Sequence, residues 1–185
     1  MIMDFTILDS LKAKEVHKEY AAFLGDNERT DYYMKRFEKM ENSGAKCNFN
    51  FSALFFSTYW CFYRKLFGLG AISFAMNFVG LYLALMMPKL AALGQILTIM
   101  PAIICGLFGN YLYMSYARKT IVAGLGMDDE ARVKHYDNNG GISVRIALGV
   151  IGAFVIIGLG LFFSAGPEAI YQMQQNMPIS MPSAE

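Results

Sequence analysis

Three stretches of this chain carry no charged residue: Leu66 to Pro88, Leu90 to Ala117 and Ile146 to Pro167. At about 1.5 Å of rise per residue, a helix through any of them exceeds the roughly 30 Å hydrocarbon slab of a bilayer. A soluble fold rarely holds three such rods. The sequence therefore predicts an all-α integral membrane protein with three transmembrane helices.

The distribution of charge agrees. Only 17% of residues are charged, and nearly all of them lie in residues 1–48 and 115–145. Segregation of this kind separates a membrane protein from an apolar soluble one. The formal net charge of +1 gives no electrostatic case for nucleic-acid binding. The first 25 residues are polar and amphipathic without an apolar core region, so no cleavable signal peptide is expected. Cys47, Cys61 and Cys105 match neither a metal spacing nor a disulfide framework.

Residues 1–48 read as a cytosolic amphipathic helical region. One helix is expected over 10–24, with Ser10 as N-cap, Gly25 as stop and Leu11, Val16, Tyr20 and Phe23 on one face. A second is expected over 27–40, with Tyr33, Met34, Phe37 and Met40 at helical spacing. Together they predict a helical hairpin whose greasy face folds on itself, lies on headgroups or docks a partner. Residues 49–67 form an aromatic segment, nine of its nineteen side chains being rings. Its uncharged core, Cys47 to Tyr63, is too short for a comfortable crossing, and Trp and Tyr favour the bilayer interface. The segment is expected to be an interfacial or re-entrant helix. A transmembrane hairpin follows over 68–114, turning at Met87-Pro88-Lys89, with Pro101 expected to kink its second helix. Residues 115–145 are expected to be a cytosolic loop with a short helix at 128–136, capped by Asp128. A third span covers 146–166, and 167–185 is a flexible tail.

Basic residues choose the topology. With three spans and a cytoplasmic N-terminus, fifteen of the sixteen Lys and Arg residues lie inside and only Lys89 lies outside. If residues 51–63 crossed the membrane, the division would fall to nine and seven. The positive-inside bias selects the first arrangement and places the C-terminus on the periplasmic or extracellular side.

No Asp, Glu, Lys, Arg or His lies within the spans, and such residues mark most proton relays and ion pathways. Asn77 and Gln95 are expected to hydrogen-bond between helices, and Ala102, Gly106, Gly149 and Ala153 to supply small packing faces. Packing among the three helices is favoured over a homo-oligomer seam, which stays open. His17 and His135 have no partner at ligand spacing, and no phosphate loop or nucleophile elbow is present. No catalytic residue, metal or cofactor is therefore expected. Trp60, Tyr63, Arg64 and Lys65, with Phe55 and Phe56, are the expected contacts with the membrane interface or a partner.

The same segment carries a resemblance. Asn50-Phe51-Ser52-Ala53-Leu54-Phe55-Phe56, then Trp60, then Tyr63-Arg64-Lys65, resembles the hallmark of a bacterial inner-membrane family catalogued as a domain of unknown function. Asp31-Tyr32-Tyr33 with Lys35 and Phe37 is similar to its charged-aromatic helix. Gly109-Asn110-Tyr111-Leu112-Tyr113 before Arg118-Lys119 is similar to its second signature. The resemblance covers roughly residues 20–145. The chain departs from it where Phe51 stands for a Trp and Thr58-Tyr59 for a Gly-Pro. Loss of Gly-Pro favours a plain interfacial helix over a sharply turned one. The resemblance implies a bacterial inner-membrane protein and supplies no catalytic residues.

These readings converge on a non-enzymatic inner-membrane protein that acts through lipid or membrane-protein contacts, as scaffold, assembly factor or accessory subunit. The alternatives are an oligomeric transporter or channel subunit, or a membrane enzyme acting on lipid or envelope precursors through loop residues such as His135 and Asp137.

Overall fold

The computed structural model describes residues 13–164, and those residues form seven α-helices and one 3-10 turn, with no strand among them. The helices are α1 (Ala13–Leu24), α2 (Thr30–Ser43), α3 (Phe51–Tyr63), α4 (Phe67–Met86), α5 (Ala91–Gly124), α6 (Asp129–Asn139) and α7 (Val144–Ser164). The 3-10 turn, Pro88–Leu90, joins α4 to α5. The expected Ser10 cap, Leu11 and the 167–185 tail lie outside the described residues.

Three helical stretches are long and apolar enough to cross a membrane: α4, α5 with the turn before it, and α7. Their apolar side chains are largely uncovered, as at Ile72, Ile99 and Ile156. In water such surface would drive aggregation; against acyl chains it costs nothing. Where α4 and α5 cross, Gly80 and Gly94 face one another. A Cβ on Gly94 would lie 2.5 Å from the Gly80 carbonyl oxygen. Two glycines are what allow the backbones to approach so closely. This pair was not among the small residues singled out from the sequence.

α5 has 34 residues, about 51 Å of helix, and so extends well past one bilayer thickness. Pro101 lies inside this one continuous helix. Residues 115–124 are therefore helix, not the loop expected there. The extension is a post on which α1, α2 and α6 assemble. Tyr20, Phe23 and Leu24 of α1 and Tyr33, Phe37 and Met40 of α2 are buried with Tyr113, Met114, Ala117 and Ile121 of α5. The greasy face of the N-terminal helices is thus covered by the chain's own α5. Polar ties bind the same head: the Tyr20 hydroxyl donates to Glu41 at 2.6 Å, and Arg118 of α5 pairs with Glu41 at 3.6 Å.

Local chemistry sets the boundaries. Gly25 ends α1 at φ 70°, where Thr30 Oγ1 donates to its carbonyl at 2.6 Å. Asp128 caps α6 by accepting from Ala131 N at 2.9 Å. After α6, Gly141 N donates to the Phe23 carbonyl at 2.8 Å, and a Cβ on Gly140 would overlap that same carbonyl. Ser143 N then reaches the Tyr63 carbonyl at 2.8 Å, which links the head to the end of α3.

Candidate functional site

Helix α3 is where the head and the apolar helices meet, packing against α4, α5 and α7. Asn50 starts it, accepting from Ala53 N at 3.0 Å, and stands buried. Its Nδ2 donates to Asn110 Oδ1 of α5 at 2.8 Å, and Asn110 Nδ2 donates in turn to Asn48 Oδ1 at 2.8 Å. The backbone joins in: Asn48 N and Asn50 N donate to the Leu107 and Gly106 carbonyls at 3.0 and 2.8 Å. Residues 48–50 are therefore laid along α5 by paired amides, with Asn50 and Asn110 buried and Asn48 half-buried.

The helix breaks at Ser57, whose φ of 31° and ψ of −104° lie outside helical space. The sequence favoured a plain, unbroken helix here because Gly-Pro is absent. The correction has a physical basis: Asn77 of α4 donates to Thr58 Oγ1 at 3.2 Å and so anchors the residue that follows the break. A bend in the backbone can be held by its neighbours where no Gly or Pro favours it.

Beyond the break, side chains turn inward. Trp60 is 4% exposed and donates from Nε1 to the Tyr33 hydroxyl at 3.1 Å. Arg64 is 2% exposed, with its Cζ 4.3 Å from the centroid of Tyr33, 5.3 Å from Tyr63 and 5.6 Å from Tyr113. Its Nε and Nη1 have no hydrogen-bond partner, and no carboxylate pairs with it among the described residues. Ring faces offset part of the desolvation of a guanidinium, but an unpaired buried charge still costs several kcal/mol. The sequence set Trp60 and Arg64 at the membrane surface; both are enclosed by protein, because Tyr33 and Tyr113 close over them. Phe55 and Phe56, before the break, are 76% and 61% exposed. Tyr63 is half-buried. Lys65 donates to the Asp137 carbonyl of α6. Burial pushes the Lys65 ammonium below its usual pKa, an effect that the nearby Asp137 carboxylate partly offsets.

In front of Arg64 opens a cavity of about 860 Å³. It is lined by Arg29, which precedes α2, by Arg36 and Lys39 of α2, by Phe51, Phe56, Tyr59, Trp60 and Tyr63 of α3, and by Ala147 and Ile151 of α7. Asn48, Asn50 and the exposed Cys47 also line it, and no Asp or Glu is among its described lining residues. Arg36 is held over the Tyr32 ring at 5.2 Å and donates to Asn48 Oδ1 at 3.3 Å.

The remaining expected packing residues divide. Gly106 lies buried beneath Leu54 of α3, where a Cβ would come within 2.8 Å of its side chain. Asn77 also donates to the Ser73 carbonyl at 2.7 Å. Ala102 and Ala153 are half-buried and Gln95 is exposed. Gly149 is open, with nothing among the described residues within 4 Å of where its Cβ would stand. Cys61 and Cys105, distant in sequence, touch as buried free thiols with sulfurs 3.7 Å apart. Both ring nitrogens of His135 are taken up in packing, against the Thr120 carbonyl at 3.1 Å and the Asn139 amide at 3.4 Å. Among the described residues no group of His, Cys, Asp and Glu could hold a metal ion.

Bilayer-length apolar helices surmounted by a helical head, with a cation- and ring-lined cavity at the junction, define an α-helical protein of membrane type. The chain belongs to the family described as Protein of unknown function (DUF2628), whose model matches residues 14–119. That span holds every residue named above as lining the cavity except Ala147 and Ile151, and it includes Asn50, Arg64 and Asn110. Neither the curated proteins nor the solved structures give a match.

Proposed function

We propose that this chain is a non-enzymatic protein of the bacterial inner membrane that acts by holding a lipid or a membrane-protein partner at the cavity between head and spans. The single observation that carries the reading is the cavity itself. It is lined by cations and aromatic rings at the mouth of the apolar helices, and its described lining residues include no carboxylate or imidazole to act as general base. The head lies in the cytoplasm, because it and its flanks carry nearly all the Lys and Arg residues while the α4–α5 turn carries only Lys89. With three spans, the end of α7 faces the periplasm. Reporters fused before Met1 and after Glu185 should respond in opposite compartments; a response in the same compartment overturns this topology.

Cys47 provides a direct test of the contact role, since it lines the cavity and is exposed while Cys61 and Cys105 are buried. A photo-crosslinker on Cys47 in native membranes should give a discrete lipid or protein adduct. The same probe on Lys89→Cys in a Cys47→Ser background should not. Identical patterns from both positions would overturn the reading.

One observation favours the second reading, an oligomeric transporter or channel subunit. Gly149, Gly152 and Gly160 of α7 share one side of the helix and have open space where a Cβ would stand, a face suited to close approach by a second copy. A strictly monomeric mass in detergent removes it.

A further inference from the structure

Arg64 is a buried charge with no carboxylate paired to it among the described residues. Its planar fork of donors suits the paired oxygens of a phosphate, and Nε and Nη1 are unused. Arg29, Arg36 and Lys39 line the same cavity with no Asp or Glu among its described lining residues, so four cations border one space and favour an anion there. The cavity is also sided. Its rim cations come from the head, whereas Phe51, Phe56 and Ile151 come from elements at the apolar helices and are exposed. A small soluble anion would leave that second half unfilled. An amphiphile with a phosphate head and an apolar tail fits both halves. A volume of about 860 Å³ admits a headgroup with the start of its chains, and the rest would run along the uncovered apolar surface.

We infer that the cavity is a binding site for an anionic phospholipid, its phosphate held by Arg64 with Arg36 and the rim cations, its chains lying over Phe51, Phe56 and Ile151. This inference rests on the contact role proposed above and names the ligand class.

Trp60 is the chain's only tryptophan and lines the cavity, so its fluorescence reports occupancy. The full chain in neutral detergent is titrated with phosphatidylglycerol brominated on its acyl chains, and separately with brominated phosphatidylcholine. Saturable quenching is expected at a mole fraction at least about tenfold lower for phosphatidylglycerol, and Arg64→Gln should weaken it about tenfold or more. Because Arg64 is buried, that variant can fail to fold, so the exposed rim pair Arg29→Gln/Lys39→Gln is measured beside it. Each lost rim charge should weaken binding about fivefold, the equivalent of about 1 kcal/mol at a membrane surface. Equal quenching by the two lipids, or a rim variant indistinguishable from the parent, overturns the inference. Inorganic phosphate that alone changes Trp60 emission and displaces the lipid at equal concentration assigns the site to a free anion and overturns the lipid source. A flat titration with Cys47 adducts to protein intact overturns this inference alone. Loss of both signals overturns the contact role as well.

Discussion

Asn110→Ala tests whether the amide cluster is what fixes the cavity wall to α5. The substitution removes a donor to Asn48 Oδ1 at 2.8 Å and an acceptor from Asn50 Nδ2 at 2.8 Å. At about 1 kcal/mol net for each bond, the direct loss is about 2 kcal/mol. Asn50 is 2% exposed, so its amide is left without a partner and adds about 1 kcal/mol more. Together these make about 3 kcal/mol, which should lower the melting midpoint, followed by Trp60 emission in detergent, by about 6–12 °C. The double variant Asn50→Ala/Asn110→Ala discriminates a true partnership from two unrelated losses. Removing both members abolishes the orphaned amide, so the pair should cost about 1 kcal/mol less than the sum of the singles. Costs that add within about 0.3 kcal/mol would refute the claim that these two amides hold residues 48–50 on α5.

Three further outcomes follow from the same coordinates. Gly94→Ala places a methyl 2.5 Å from the Gly80 carbonyl oxygen and 2.8 Å from Ala84 N, both backbone atoms that cannot swing away; it should cost about 1–3 kcal/mol in a melting series, with the open Gly68→Ala as the neutral control. A Cβ at Gly149 meets nothing within 4 Å, so Gly149→Ala should lower the midpoint by no more than about 0.5 kcal/mol, and a larger fall would show that α7 is packed there. The Tyr136 hydroxyl is raised above its ordinary value of 10.0 by burial and by its 2.7 Å bond to Glu19. Its contribution to stability is complete below 10.0 and is lost as pH climbs through the raised folded-state value. Midpoints measured from pH 9 upward should therefore fall more steeply in the parent than in Tyr136→Phe, and parallel slopes would sink the assignment.

The parts of the fold legible in the sequence were those that a uniform solvent dictates. Charge-free runs longer than a bilayer is thick mark the apolar helices whatever they pack against, and Gly25 and Asp128 mark helix ends through local backbone chemistry. Contacts between distant segments were not legible. Gly80 and Gly94 look like any glycines in a membrane helix until the two backbones cross. Asn50 and Asn110 stood out in two separate stretches of resemblance, but nothing in their spacing says that one donates to the other. The second span was read as ending at residue 114, just before charge returns at Arg118-Lys119. In the fold the helix simply continues, since Arg118 pairs with Glu41 and the surrounding face is buried against the head. Tyr33 and Tyr113 were readable only as ring-bearing helix positions, yet they enclose Arg64.

The cavity residues were the hardest to assign, and the reason lies in one dihedral. Phe56 and Trp60 are four residues apart, so in an unbroken helix they would share a face and an environment. Phe55, Phe56, Trp60, Tyr63, Arg64 and Lys65 were expected together, as contacts with the membrane interface or a partner. In the structure Phe56 is 61% exposed and Trp60 4%, a difference that one regular helical face does not allow. The break at Ser57 falls between them and gives the two halves independent orientations. The first half keeps its phenylalanines outward, toward the apolar surroundings of the spans. The second turns Trp60 and Arg64 into the head, against Tyr33. Asn77 of α4 fixes the side chain of Thr58, the first residue after the break, through its hydroxyl. The break therefore brings an exposed aromatic surface and an enclosed guanidinium to opposite sides of one cavity, the arrangement that a two-part ligand requires.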